Sequence, residues 1–390
     1  MFLGELPGLA LDRSGIALLG AIAIVAARRL TVEEAWLAID TSTIALLFGL
    51  MVISAQFRLA GFYDEIVRRI AAYAAGPEAL LAWVVVAAGA LSAVLANDIV
   101  CLAMAPMLIE ACARRHISPV PFLLALACAA NAGSAATLIG NPQNMFIGQS
   151  LDLSFAGYLA DGVPPAAAGL ALTWSIIRFQ WRDRWLDAHE PRHERRQPPP
   201  FDRGATIKAS ILLCVTVAAF LLTSWPRDVV ALAAAGVLLL SRRMSSREVI
   251  GLVDGHLLVL FIGLFVLNEA VARAGLLRDL YAVLAVAGID LSRAAWQFVV
   301  TPVLSNLVSN VPAVMLLVPA ATGPHAGALL ALTSTFAGNL LIVGSIANII
   351  VVEQASRQGV VIHWRTHART GVPVTLGTLA ITAMWLWLRS

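Results

Sequence analysis

The chain has 390 residues, of which 59% are hydrophobic and 13% charged, with a net charge of +3. Soluble domains carry about 25% charged residues, so the composition excludes a soluble globular protein and describes a polytopic membrane protein, read as one compact domain. Nearly all the positive charge is Arg, Lys208 being the single lysine.

The N-terminal MFLGELPGLALDRSG has no basic region ahead of its apolar run and no small-residue cleavage site. The run at 14–28 therefore reads as a retained first helix and not as a signal peptide. Further apolar runs predict helices at 41–57, 80–96, 99–113, 119–139, 162–177, 206–224, 228–241, 256–271, 294–308, 313–322, 326–343 and 370–388. A full span takes about 20 residues. The runs at 99–113 and 313–322 are short for that and follow Asn97-Asp98 and Ser309-Asn310, so each is the second arm of a hairpin. The four cysteines, Cys101, Cys112, Cys128 and Cys214, sit in apolar segments without C-x-x-C spacing and read as small buried hydrophobes.

An internal repeat runs through the chain. Arg28-Arg29 and Arg242-Arg243, Asp40 and Asp254, Gly49 and Gly263, and Gly61 and Gly275 share a sequence offset of 214. Asn97 and Asn310, and Pro106 and Pro319, follow at an offset of 213. Gly140 and Gly344, and Asn144 and Asn348, follow at an offset of 204, because RRHIS at 114–118 has no counterpart. Each half holds two spans, a hairpin, an interrupted span and a final span. The additional helix at 206–224 inverts the second half against the first. The division is 1–177 for the first inverted repeat, 178–227 for a cytoplasmic basic loop with a linker helix, and 228–390 for the second repeat.

Positive charge gives an orientation. With the N-terminus inside, the inner segments hold 20 of the 27 Lys and Arg residues, as the positive-inside rule requires. The C-terminus is then external. The tally is the same whether 80–113 and 294–322 re-enter the membrane or cross it twice. RFQWRDRWLDAHEPRHERRQPPPFDR (178–203) interleaves acids with its arginines, so it reads as a topology-fixing cytoplasmic loop and not as a nucleic-acid-binding segment.

TLIGNPQNMFIG (137–148) breaks an otherwise apolar helix with Gly140, Asn141 and Pro142. In hydrocarbon, irregular backbone survives only where it is buried in protein or lines a wet cavity. Inverted repeats with broken helices are the signature of secondary transporters, whose sites lie where the repeats meet. Four such places occur: the tips at Asn97-Asp98 and Ser309-Asn310, where Asn and Ser are expected as helix caps, and the interruptions at Gly140–Asn144 and Gly344–Asn348 (GSIAN). Four helices starting near the membrane centre offer free N–H groups and partial positive charge, while turned-out carbonyls and Asn side chains offer cation ligands. The expected substrate or ion site is Asn97, Asp98, Asn141, Pro142, Asn144, Ser309, Asn310, Gly344, Ser345 and Asn348.

LANDIVCLAMAP (95–106), NAGSAATLIGNPQN (131–144), SNLVSNVPAVMLL (305–317) and AGNLLIVGSIAN (337–348) resemble the ion transporter superfamily. That group includes arsenite-efflux permeases, NhaD-type sodium–proton antiporters and divalent anion–sodium symporters. The resemblance covers essentially the whole chain. It implies that the tips and unwound loops build the substrate and coupling-ion site, with elevator-type alternating access and often a homodimer. Dicarboxylate symporters carry Ser-Asn-Thr at both tips. Ala96-Asn97-Asp98 is closer to the arsenite and sodium–proton branches.

Asp98 is the candidate proton or cation carrier. An acid beside Ile99, Val100 and Cys101 is costly inside a membrane, and such acids mark ion or proton pathways. A permanently ionised Asp98 would repel an anion, which favours a neutral or weakly acidic substrate, a bound cation, or proton release as a cation binds. No Arg or Lys falls within the four motifs. Glu269 with Arg273, and His256, read as interfacial groups, Glu353 reads as the cap of a half-helix near Arg357, and Cys101 and Cys128 lie close enough to the motifs to offer soft ligands.

The chain thus reads as an all-α secondary transporter of the cytoplasmic (inner) membrane, moving a small anion or weak oxyacid coupled to H+ or Na+, with sodium–proton antiport as the alternative. No enzymatic constellation is present at catalytic spacing. No cofactor is expected beyond the coupling ion. The expected partners are a small-molecule or ion substrate, the bilayer and a second copy of the chain.

Overall fold

A backbone in hydrocarbon must satisfy its own N–H and C=O groups, and the apolar runs do so as helices. The computed structural model describes residues 11–186, 200–241 and 244–389. The pair expected at Arg242-Arg243 and half of the basic stretch at 178–203 lie outside the described residues. Within them there is no strand, only an isolated bridge between Ile117 and Leu186.

The first half comprises α1 (Arg13–Ala26), α2 (Val32–Leu37), α3 (Thr41–Leu59), α4 (Phe62–Tyr73), α5 (Pro77–Val94), α6 (Asn97–Arg114), α7 (Val120–Ser134), α8 (Pro142–Ser150) and α9 (Phe155–Gln180). Next comes α10 (Arg203–Leu222). The second half comprises α11 (Arg227–Leu239), α12 (Ser246–Ile250), α13 (Gly255–Arg273), α14 (Leu276–Val286), α15 (Ala294–Val308), α16 (Asn310–Leu317), α17 (Ala326–Ala337), α18 (Ile346–Arg357) and α19 (Trp364–Arg389). Among the described helices, α3, α5, α10, α13 and α19 are long and apolar enough to cross a membrane.

Two differences from the sequence reading matter. The runs at 119–139 and 326–343 stop as helices at Ser134 and Ala337, and the chain resumes as α8 and α18 only after irregular loops. The short helices α2, α4, α12 and α14 mix apolar residues with acids and, in all but α2, arginines, as in FYDEIVRRIAAY of α4, so none of them stands out as a continuous apolar run. α4 still buries Tyr63, Val67 and Ile70 on one face.

Local structure recurs at the sequence offset. Thr31 and Ser245, related by the offset of 214, each close a capping box with the Glu three positions on. Asp40 and Asp254 each cap the following helix, accepting from Thr43 N and Leu257 N at 3.0 Å. Gly61 and Gly275 both take a left-handed conformation, φ 69° and 72°, where a side chain would be strained.

The packing exchanges between the halves. α1 packs on α13, and α11, the counterpart of α1 at the offset of 214, packs on α3. A Cβ added at Gly263 would come within 2.7 Å of the Ala17 backbone, and one at Gly49 within 2.7 Å of the Ala231 backbone. These four positions are two pairs at an offset of 214, so equivalent surfaces meet in both contacts. Glu269 pairs with Arg273 at 2.5 Å, and Arg273 also reaches Glu34. Glu353 pairs with Arg357 at 2.5 Å. Cys101, Cys112 and Cys128 are buried, but Cys214 is exposed, because α10 turns Ile207, Ile211 and Val215 outward as well and buries few of its residues.

Candidate functional site

The two loops that break the helices are each tied by one asparagine. Asn144 Nδ2 donates to the carbonyls of Thr137 (2.9 Å) and Ser134 (3.4 Å), groups that the end of α7 leaves without helical partners. Asn348 Nδ2 donates to the carbonyls of Leu341 (3.1 Å) and Gly338 (2.7 Å), the equivalent positions of the second half. Asn141 caps α8, its Oδ1 accepting from Asn144 N at 2.9 Å, and Pro142 takes the first helical position, where no N–H is needed.

Each loop is also held by the other half. Thr335 Oγ donates to Asn144 Oδ1 (3.3 Å) and accepts from Asn141 Nδ2 (3.2 Å). At the equivalent place Asn131 Nδ2 donates to Asn348 Oδ1 (3.1 Å), and Asn131 Oδ1 accepts from Ser345 Oγ (2.9 Å). Asn131 also donates to Asn339 Oδ1 at 2.8 Å. Behind the loops, the Tyr158 hydroxyl donates to the Ala135 carbonyl, and His367 Nε2 lies 3.1 Å from the Asn339 carbonyl.

The hairpin tips do not use the caps expected of them. Ala96 precedes α6, Asn97 is already its first residue, and no side chain caps either α6 or α16. Asn97 donates its main-chain N–H to the Gly140 carbonyl at 3.4 Å, so the tip is fastened to the loop. With its amide oriented as the surrounding acceptors require, Asn310 donates to the carbonyls of Gly344 (3.2 Å) and Ser334 (3.3 Å). Ser309 adopts φ 85°, ψ 157°, a region that is almost confined to glycine.

The N-termini of α6, α8, α16 and α18 meet around a cavity of about 20 Å³, lined by Asn97, Asp98, Pro142, Ser309, Asn310 and Ser345 among others. That is room for about one water-sized particle. Asn97 Oδ1 is buried there without a hydrogen-bond partner among the described residues. Asp98 and Pro142 also line a larger cavity of about 250 Å³ that extends past Asn141 and Met145 to Arg58 and Asp254. Asp98 is half-buried and has no hydrogen-bond partner among the described residues. Of the ten residues singled out in the sequence, seven face these cavities. Asn144 and Asn348 are fully buried and Gly344 is buried behind them, so these three shape the loops and do not present ligands.

A third cavity of about 320 Å³ adjoins the same end of the molecule, lined by Asp12, Arg13, Asp254 and His256. Chemically, the arrangement sets the Asp98 carboxylate, in the first turn of α6, among four helix N-termini, with carbonyl and amide oxygens at hand and a wide opening on one side.

The family profile described as citrate transporter (CitMHS) matches residues 1–337. The chain belongs to the CitMHS citrate transporter family. A transporter of Mycobacterium tuberculosis is 28% identical over 97% of this chain and 94% of its own length. The silicon efflux transporter of rice (Oryza sativa subsp. japonica) is 29% identical over 97% of this chain and 93% of its own length. Among solved structures, the Alcanivorax borkumensis YdaH transporter superposes with a TM-score of 0.59 at 14% identity, covering 97% of this chain and 90% of that one. As a member of the citrate transporter family the protein is a multi-pass membrane transporter with an all-helical transporter fold.

Some residues of this CitMHS site escaped the sequence reading. Arg13, half-buried in the first turn of α1, donates to Ser309 Oγ (3.4 Å) and the Val343 carbonyl (3.0 Å), bringing a cation to a site whose motifs contain none. The offset of 214 pairs it with Arg227, a signal present in the sequence. Asn131, Thr335 and Asn339 are polar residues at the ends of apolar helices, which was signal enough. Nothing local marked Tyr158 or His367, whose roles come only from the packing of α9 and α19.

Proposed function

We propose that the protein is a secondary active transporter that moves a small anion or weak oxyacid across the cytoplasmic membrane, coupled to H+ or Na+, through alternating access of two inverted repeats in an elevator-type motion. The observation that carries the reading is Asp98: a carboxylate without a hydrogen-bond partner among the described residues, at the junction of the tight central cavity and the wide lateral one. Uncharged weak oxyacids approach such a carboxylate without repulsion, and dissolved silicon, named in the rice relative, is one at neutral pH. The four helix N-termini then favour whatever negative charge the substrate carries.

The exchanged packing of α1 on α13 and α11 on α3 supports the inverted repeats, and the excess of Arg in the inner segments supports an internal N-terminus and external C-terminus. With that orientation, Arg58 and Asp254 are cytoplasmic and the wide cavity faces inward. Binding falls to Asn97, Asp98, Asn141, Pro142, Ser309, Asn310 and Ser345, with Gly344, Asn144 and Asn348 holding the loops. The exposed apolar face of α10 suits lipid or a second copy in a homodimer.

Sodium–proton antiport is the second reading, favoured by the central cavity, whose size suits a bare cation better than an organic anion. Proteoliposomes containing a trapped pH dye, challenged in turn with sodium, arsenite, silicic acid and citrate, separate the two. A pH change that requires a solute, exceeds its leak through empty liposomes and disappears in Asp98→Asn supports solute–proton coupling. A change with sodium alone, also lost in Asp98→Asn, establishes the antiporter. Full coupled transport by Asp98→Asn refutes Asp98 as the carrier.

A further inference from the structure

Arg13 and Arg227 are the first residues of α1 and α11 and occupy equivalent positions at the offset of 214, yet they do different things. Arg13 grips the second hairpin tip and the second loop, at Ser309 Oγ and Val343 O. Arg227 grips the far end of α8, donating to the carbonyls of Gly148 (3.1 Å) and Leu153 (2.9 Å). The counterparts of Arg13's acceptors in the first half are Ala96 and Ile139. Arg227 touches neither of these.

The helices that carry the two arginines are otherwise equivalent. Ala17 lies against Gly263 and Ala231 against Gly49 with the same 2.7 Å approach. Both helices run parallel to the partners on which they pack, so Arg13 lies toward the start of α13 and Arg227 toward the start of α3. The wide cavity joins the end of α3, at Arg58, to the start of α13, at Asp254, so the two arginines sit toward opposite ends of the molecule. The asymmetry therefore belongs to the body that carries the tips and broken helices. It is displaced toward Arg13's end, so that its centre lies level with Arg13 and the outer end of α8 lies level with Arg227.

We propose that Arg13 and Arg227 are exchanging latches for the two end states of transport, an inference that rests on the alternating-access reading above. In the opposite-facing state Arg227 takes the central position, donating to the Ile139 carbonyl beside Ala96, while Arg13 passes to the carbonyls at the C-terminal end of α18. The displacement this requires follows from α8, whose Pro142 to Gly148 segment spans about 9 Å at 1.5 Å per residue. The two latches differ in strength. Arg13 has the hydroxyl of Ser309 as a second acceptor, whereas Arg227 would find only the methyl group of Ala96. This tilts the pair toward the state described.

Supplying the missing hydroxyl tests the proposal. Ala96→Ser should favour the opposite-facing state by about tenfold, the size of one added charge-assisted hydrogen bond, and only while Arg227 is present. Leu257, which lines both the wide cavity and the one beside Arg13, is replaced by Cys in liposome-embedded protein. The readout is its rate of labelling by a hydrophilic maleimide. The expected result is about two- to fivefold slower labelling in Ala96→Ser, which is what a tenfold shift gives when the described state starts out favoured by up to about tenfold, and no slowing by Ala96→Ser when it is added to Arg227→Met. Unchanged labelling in Ala96→Ser, or slowing that persists in Arg227→Met, overturns the latch; if substrate or gradient still alters the rate, alternating access survives it. Labelling that no substrate, gradient or variant alters refutes alternating access and the latch together. Should Arg227→Met fail to fold, an Ala96→Cys, Arg227→Cys pair decides the matter. A short bifunctional thiol reagent should join the two and arrest transport, and the absence of cross-linking in a protein that still transports overturns the proposal.

Discussion

Replacing Asn144 with Ala removes the amide that spans the gap between α7 and α8. The side chain donates to the carbonyls of Thr137 and Ser134, at 2.9 and 3.4 Å, and to the Tyr158 hydroxyl at 3.2 Å, and accepts from Thr335 at 3.3 Å, all in a fully buried position. A buried hydrogen bond is worth about 1–1.5 kcal/mol, and an acceptor left unsatisfied costs at least as much. Counting the close Thr137 contact fully and the three longer ones in part gives about 2–3 kcal/mol. The loss falls on the loop, since the apolar helices around it keep their packing. Local opening of 135–141 should rise by about 30- to 150-fold, at about 1.4 kcal/mol per factor of ten. Amide hydrogen exchange read at Leu138 and Ile139 should accelerate by that factor while the amides of α3 and α13 keep their protection, and transport should fall in parallel. Asn348→Ala should do the same to 338–345, because its amide bonds the equivalent carbonyls at 2.7 and 3.1 Å. Unchanged exchange in both loops would refute the assignment of these asparagines as clamps, and equal acceleration everywhere would make them ordinary core residues.

Ser309→Gly should relieve a strained backbone at φ 85° and raise the stability of the folded protein by about 1–3 kcal/mol, seen as a higher unfolding temperature in detergent. Because the hydroxyl that meets Arg13 is lost as well, the variant should hold the described state less firmly, and faster exit from it would be visible in the Leu257→Cys labelling rate. Gly263→Ala should cost about 1–3 kcal/mol, since the added carbon would press within 2.7 Å of the Ala17 backbone, where no flexible side chain can yield. Gly49→Ala should cost a similar amount against Ala231, and a large difference between the two would contradict the equivalence of the contacts.

Much of the fold was legible because hydrocarbon enforces it. Runs such as VVVAAGALSAV can only be helix where no water reaches the backbone, so α5 and its kind needed no more than their composition. The offset of 214 was equally open, because Asp40 and Gly61 perform backbone tasks, capping and a left-handed turn, that leave few substitutes at Asp254 and Gly275. The helices α4 and α14 were hidden, since charges shorten the apolar run of each: Asp64, Glu65, Arg68 and Arg69 in α4, and Arg278 and Asp279 in α14. Within the site, Gly140, Asn141 and Pro142 declared a broken helix, but their chemistry did not say which asparagine faces the cavity and which faces the chain. Asn97 and Asn144 look alike in sequence. One aims an unpartnered oxygen into the cavity and the other spends its amide on the loop carbonyls, a division made by the side chains around them.

The hydrogen bonds between the halves constrain how this site can move. Asn144 of the first loop is bonded to Thr335 at the end of α17, and Asn348 of the second to Asn131 at the end of α7, so neither loop can shift without the helix that precedes the other. The Asn97 and Asn310 tips are fastened in turn to Gly140 and Gly344. Six elements and two loops thereby form one body, and a motion that opened the site by separating the halves would leave several buried polar groups unpaired at about 1–3 kcal/mol each. Sliding the whole body past α1, α3, α11 and α13 breaks none of these bonds. The polar contacts it does break lie at the boundary: those of Arg13 and Arg227, and the bond that Ala96 N donates to Ser54 Oγ of α3 at 3.1 Å. This is the physical reason to place alternation there and to expect the substrate, coupling ion and both loops to travel together.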